Sequence, residues 1–572
     1  MNRQGTTPEN IFSDINYDHY IVQYQGEIDE EFLKKSGYYI TIINDKYAIL
    51  TLQKNMKINL DDLIHASIVY VKSVEVYTLQ EISPIEASQA RALQLDLPLK
   101  LTGKGVIVGI IDSGIDYLNE EFMTSSGETR IENIWDQTIN STEKDEINKM
   151  PFGTVYTKSK IQEAIAAYKK GESPYAIVPS KDEIGHGTKM AGIIGATGKN
   201  SDLKGVVPDC EFAVVKLIED FSYESQFDIK VPVFNITSIF AAIEFLHQYA
   251  IMTSKPMVIY LPLGTNSGNH KGDGILEEYI ESISINRGIV VVTGSGNERA
   301  RGSHTSGIIP EVGGTSTIEL DVSTEQKYLW AEVWVDVPNI MTLNIVSPSG
   351  EDTGIIPAVI NSIEYYTFIF EKTSITVNFY LPEENTGDEL IRISFYNVQP
   401  GIWKITLIAN SVLDGKYNVW IPQQGITIGE THLSPSDPYG TITNPGTSRS
   451  IITVAAYNQN NNNLVNYSGM AFANDYIDVI DIAAGGVNAL TVAPNNQIAT
   501  VNGTSVSATI VVGTCAMLLE WGIIDGNDPY MYSQTIKTYL VRGTTKRVGD
   551  IYPNPQWGYG ILNVLGIFQN MR

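Results

Sequence analysis

The chain has 572 residues, 43% of them hydrophobic, with aromatic side chains throughout; it is not a disordered chain and is too long for one ordinary domain. Its formal net charge of −26 argues against nucleic acid or an anionic membrane surface as a partner, since both need a basic face. With only Cys210 and Cys515 there is no disulfide framework, and no Cys/His cluster has structural-zinc spacing, so no metal site is read.

Met1 to Asn16 is polar and lacks a basic stretch followed by an apolar one, so neither a secretory signal nor a membrane span is expected. From His19 to about Leu79 the pattern reads strand, helix, strand, strand, helix, strand: Tyr20–Tyr24, Asp29–Lys35, Tyr38–Ile43, Tyr47–Leu52, Leu60–Ala66 and Ile68–Leu79. That succession is the split βαβ arrangement. Glu81 to Lys100 reads as a connector with a helix over Ile85–Leu95.

A continuous apolar run, Val106–Ile111, then predicts a buried parallel strand that ends on Asp112. Residues 128–180 read as a polar, turn-rich insertion with one helical piece, Ile161–Lys170. His186 opens a small-residue helix within Gly185-His186-Gly187-Thr188. Strand and helix signals then alternate: Glu211–Leu217, Ile236–Tyr249, Met257–Leu261, Ile275–Asn286 and Gly288–Val292. Such alternation predicts an α/β fold, a mostly parallel sheet with helices on both faces. Between Ile318 and Thr431 the helical period vanishes and short alternating strands follow, which reads as an inserted all-β sandwich, a jelly roll. Helix and strand alternation returns at Ile451–Ala456 and leads through glycine-marked turns to Asn502-Gly503-Thr504-Ser505-Val506-Ser507-Ala508 and an apolar run through Leu519. A helix follows at Tyr532–Val541, before the turn Trp557-Gly558-Tyr559-Gly560.

Asp112 at a strand end needs a hydrogen-bonded partner, because a buried carboxylate is costly alone. His186 at a helix start and Ser505 at the mouth of a buried helix complete an Asp, His, Ser order that is one of the known orders of the catalytic triad. Ile110-Ile111-Asp112-Ser113-Gly114, Gly185-His186-Gly187-Thr188 and Gly503-Thr504-Ser505-Val506-Ser507-Ala508 resemble the three signatures of the subtilisin-like serine proteases. Lys189 and Met190 stand where that family usually has His and Val, and Thr509 where it has Pro; none supplies a triad atom, so altered helix packing is expected.

The resemblance implies roles for further residues. Thr293-Gly294-Ser295-Gly296-Asn297-Glu298 resembles the family's oxyanion loop, with Asn297 as amide donor. Leu261-Pro262-Leu263-Gly264 resembles the edge that pairs with extended substrate. Residues 1–80 resemble the inhibitory propeptide, with self-cleavage after Gln80; 81–319 and 431–572 would be the catalytic domain and 320–430 the inserted sandwich. The combination of propeptide, insert and low cysteine is similar to the Csp germination proteases of clostridial spores. That likeness implies a serine endopeptidase in the bacterial spore, or otherwise the cytoplasm, that activates a cortex-lytic enzyme precursor and keeps its own propeptide as bound inhibitor. The alternative it carries is a propeptide-bound pseudoprotease acting as a germination sensor or scaffold. No cofactor is required; the family often binds calcium, for which the sequence shows only scattered Asp and Asn.

Overall fold

The computed structural model describes residues 8, 11, 14–72, 82–95, 99–140, 150, 152–474 and 479–571. It has two compact units, Met1–Glu81 and Ile82–Arg572.

In the first unit, strands Tyr17–Tyr24, Tyr38–Ile42, Tyr47–Gln53 and Ile68–Val71 form one antiparallel sheet, in which the first strand lies between the third and the fourth. Helix Glu30–Lys35 begins at Asp29, whose side chain accepts the Phe32 N–H, and the second helix is Leu60–His65. Alternation along the strands sends Val22, Ile40, Leu50 and Leu52 into a core with Leu33 and Leu63. The expected last strand continues to Leu79, but residues 73–81 lie outside the described residues, as does Gln80.

The second unit is built on a nine-stranded mixed sheet. Its parallel centre runs Ile452–Asn458, Ile289–Gly294, Met257–Tyr260, Ile107–Asp112, Glu211–Lys216 and Ile131–Asp136, in that spatial order. The central strands are buried on both faces, as their unbroken apolar runs require. Val108 and Ile110 face one core with helices His186–Gly195 and Thr504–Leu519; Ile107 and Ile111 face another with helices Ile236–Thr253 and Ile275–Ser284. Every residue of Thr504–Leu519 except Ser505 is buried, so this helix has no polar face. Together with its continuation to Ile524 it is the one stretch, among the described residues, long and apolar enough to cross a membrane, yet 83% of that window is buried inside the fold. Cys210 and Cys515 are buried free thiols.

Two local expectations are corrected. Residues 128–180 are not merely an insertion: Ile131–Asp136 joins the sheet beside Glu211–Lys216, and Thr154–Thr157 pairs antiparallel at its edge. Polar Asn133 and Asp136 are buried there, which hides the strand from a hydrophobic reading. The connector helix is broken into Pro84–Ala87 and Ala90–Leu95, because Gln89 takes a left-handed φ of 63° and Ser88 Oγ donates to Ile85 O at 2.7 Å.

Between His304 and Ser434 the strands are antiparallel and form two further sheets. The six-stranded sheet runs His304–Ile308, Lys416–Trp420, Tyr328–Val335, Glu389–Tyr396, Ser374–Tyr380, Ile363–Thr367; the four-stranded one runs Ile340–Val346, Gly401–Ser411, Thr315–Val322, His432–Ser434. Inward residues of both, including Val333, Ile393, Leu343, Ile405 and Trp403, share one core. The antiparallel strands thus start sixteen residues ahead of 320, at His304.

Glu389, at the edge of that core, is 1% exposed. Its Oε2 accepts the Met341 N–H at 2.7 Å while Oε1 is buried without a partner. Burial pushes its carboxyl up from 4.5 to about 7. The folded chain therefore holds this proton more tightly than the unfolded chain. The contribution to stability is fully present below about pH 4.5 and is lost as pH rises to about 7. Glu389→Gln, neutral throughout, should flatten the fall in stability across that window, read from denaturation midpoints at its two ends; an unchanged slope contradicts it.

Candidate active site

The carboxyl ends of the central strands are where a parallel sheet of this kind places its chemistry. Asp112 ends one of these strands and is 4% exposed. Its carboxylate accepts the Ser113 N–H at 2.6 Å and meets His186 Nδ1 at 2.8 Å through Oδ2 and 3.0 Å through Oδ1. The Asp112 charge holds the His186 ring above its ordinary pKa, against burial, which acts the other way. The imidazole is not sealed in: its side chain stays 40% exposed.

Local sequence explains how His186 reaches that carboxylate. Gly185 precedes the helix with φ 77°, a left-handed turn that suits glycine. Gly187 lies so close to the Asp112 strand end that an added Cβ would fall 2.1 Å from Gly114 O. A further residue, absent from the sequence-derived site, fixes the arrangement. Asp182 accepts Gly185 N–H at 2.7 Å, Thr188 N–H at 2.8 Å, Thr188 Oγ1 at 2.6 Å and Ser113 Oγ at 2.7 Å. One carboxylate thus satisfies N–H groups at the helix start and ties them to the strand end beside Asp112. The signal was present: an Asp four residues ahead of a helix-initiating His has the reach of a capping residue.

Ser505 lies in the first turn of the central helix, after Gly503. Tyr260 Oη, from the neighbouring strand, donates to the Ser505 carbonyl at 3.0 Å. Asn297 follows strand Ile289–Gly294, and its Oδ1 accepts both Thr504 N–H and Thr504 Oγ1 at 3.2 Å. With its oxygen so occupied, the amide has its NH₂ left as the donor end. Pro262, Leu263, Gly264, Asn297, Thr504 and Ser505 line one cavity of about 130 Å³, together with Glu298 and Thr443 among others. Burial pushes the Glu298 carboxyl up to about 7, although the Gln424 N–H bonded to it at 3.2 Å works in the opposite direction.

Two groupings therefore stand side by side: Asp112 with His186, and Ser505 with Asn297 and Pro262–Gly264. Leu261 follows strand Met257–Tyr260 and is fully buried, its N–H donated to Val292 O at 3.0 Å. No hydrogen bond joins His186 to Ser505 among the described residues; such bonds are commonly long in a substrate-free site. At the unusual positions, Met190 is buried in the core and Thr509 Oγ1 bonds back to Val506 O at 2.6 Å. Among the described residues no group of three or more His, Cys, Asp or Glu side chains is placed to hold a metal ion.

A mixed sheet with helices on both faces, a strand-end Asp bonded to a helix-initiating His, and a Ser at the mouth of a buried helix define a subtilisin-like serine peptidase. The chain belongs to the subtilase family, whose model matches residues 103–351 and 434–560. Its substrates are proteins. Among solved structures it is similar to the Clostridium perfringens CspB protease, with 30% identity and a TM-score of 0.75 over 85% of this chain and 98% of that one. It is also similar to sphericase, at 16% identity and a TM-score of 0.41 over 83% of this chain and 97% of that one. No curated protein matches the chain.

The His186 ring should titrate above an ordinary histidine because of the Asp112 charge. Asp112→Asn removes the charge and keeps the shape, so the ring's midpoint, followed by NMR, should fall. A midpoint that stays in place would mean another group raises it.

Proposed function

We propose that Asp112, His186 and Ser505 form the catalytic triad of this peptidase and that Asn297 completes its oxyanion hole. The observation that carries this is the Asp112–His186 contact of 2.8 Å beside a helix-mouth serine that shares a cavity with Asn297. Ser505 Oγ attacks the scissile carbonyl while His186 accepts its proton, later returning it to the leaving amine. Asp112 fixes the tautomer and stabilises the imidazolium. The Asn297 NH₂ and the Ser505 N–H take the developing oxyanion, helped by the positive end of the helix. Substrate lies extended along Leu261–Gly264 as an added strand, with one side chain in the cavity.

In the same proposal residues 1–80 are an inhibitory propeptide, 320–430 an inserted jelly roll, and 81–319 with 431–572 the two parts of the catalytic domain. The split βαβ element order of the first unit supports the first assignment. Self-cleavage falls after Gln80, and the residue before the cut models the preferred substrate residue: an uncharged polar side chain over Arg or Phe. The likeness to the Csp germination proteases supports a place in the bacterial spore and a cortex-lytic enzyme precursor as substrate, with the propeptide kept as bound inhibitor.

Ser505→Ala should leave a full-length chain of 63.1 kDa where the unsubstituted protein processes itself. Continued processing by the purified variant would remove Ser505 from the mechanism. N-terminal sequencing of the mature fragment should begin at Glu81; a start beyond Ala90 rules out Gln80. Asn297→Ala should slow single-turnover cleavage by about 10²–10³ with the fold intact. An unchanged rate assigns the hole to another donor.

A further inference from the structure

The Lys416–Trp420 strand of the six-stranded antiparallel sheet leads into a corner, Ile421–Gln424, that ends against the cavity beside Ser505. The corner is anchored along its length. Ile421 N–H donates to Ser303 O at 3.0 Å, Asn266 Nδ2 donates to Ile421 O at 3.0 Å, and Gln424 N–H holds Glu298. Gln423, between them, lines the cavity.

The neighbouring edge shows what that side chain does. Leu261 N–H is taken by Val292 O at 3.0 Å, and Thr265 exchanges both its backbone groups with Asn444 at 2.9 Å. In an extended segment successive residues turn their backbone groups to opposite sides. Pro262 O, Gly264 N–H, Gly264 O and Asn266 N–H therefore face the other side, where the cavity lies. An extended peptide added there takes the groups of Pro262 and Gly264 first. The far end is already occupied: Gln423 Nε2 donates to Gly264 O at 3.3 Å, and Gln423 Oε1 accepts Asn266 N–H at 3.3 Å. A primary amide offers a donor and an acceptor in one plane, as a peptide unit does. Gln423 stands where the backbone of a further strand residue would lie.

We propose that Gln423 is a specificity-determining residue that ends the peptide-binding edge, limiting how many substrate residues before the scissile bond are recognised. This rests on the reading of Leu261–Gly264 as the substrate edge. A peptide reaching Gly264 O can share that oxygen, which has two lone pairs; one continuing to Asn266 must break both Gln423 bonds. Each bond gained by a longer peptide is then offset by one lost, so added length brings little. The antiparallel region thereby takes part in choosing substrate.

The test is a series of chromogenic anilides that all end in Gln80 and lengthen through the chain's own sequence, from Leu79-Gln80 to Val74–Gln80. For the unsubstituted protein kcat/KM should rise with length and level off at the residue that reaches Gly264. Gln423→Met keeps the reach of the side chain without its donor or acceptor. In that variant the rise should continue for one or two more residues, by about fivefold in all. Gln423→Glu keeps an acceptor for Asn266 N–H but no donor for Gly264 O, so its rise should extend by a smaller step; it carries the test if the Met variant fails to fold. An identical length profile in all three proteins overturns the role of Gln423 and leaves Ser505 as assigned. Failure of the unsubstituted protein to cleave any member fails the proposed function on which this rests, Gln80 preference included, and the proposal with it.

Discussion

A carboxylate 4% exposed at the end of a buried strand cannot stand uncompensated, and the architecture around Asp112 follows from that constraint. Its partners are a backbone N–H one residue on and an imidazole 74 residues away in sequence. To bring the imidazole there, a helix must begin against the strand end, which demands the left-handed turn at Gly185 and the bare Cα at Gly187. Asp182 then supplies the acceptors that the helix start lacks. A buried charge thus selects the residues on either side of His186 as much as His186 itself.

The same economy of polar groups applies on the serine side. The central helix is buried on every side, so it contributes no surface, and only its first turn opens to the cleft. Asn297 and Tyr260 grip that turn through Thr504 and the Ser505 carbonyl. Tyr260 ends one strand and Asn297 lies in the loop after the adjacent one, which fixes the turn against the same framework that holds Asp112. The antiparallel sheets are no bystander, since their Gln423–Gln424 corner reaches Gly264 and Glu298 at the cavity.

Most of the parallel centre of the sheet was legible because strands such as Ile107–Asp112 and Ile289–Gly294 carry unbroken apolar runs, and Asp112, His186 and Ser505 stood out as candidates because each sits in a short contiguous motif. What escaped is what only tertiary structure assembles. Strand Ile131–Asp136 carries Glu132, Asn133 and Asp136, so its burial cannot be read from hydrophobicity. The break at Gln89 depends on a left-handed residue that no local pattern announces. Gln423 is 159 residues from Gly264 and looks like any polar loop residue until the chain folds. Asp182 is the intermediate case, a capping residue near enough in sequence to have been seen.

The account stands or falls on whether Ser505 is an activated nucleophile. A fluorophosphonate probe reacts covalently with such a serine and not with an ordinary helix-cap hydroxyl. Labelling the purified protein, freed of its processed residues 1–80, and mapping the adduct by mass spectrometry should place a single modification on Ser505 and lose it in His186→Ala. A folded protein that takes no label, or takes it at another residue, would contradict the triad.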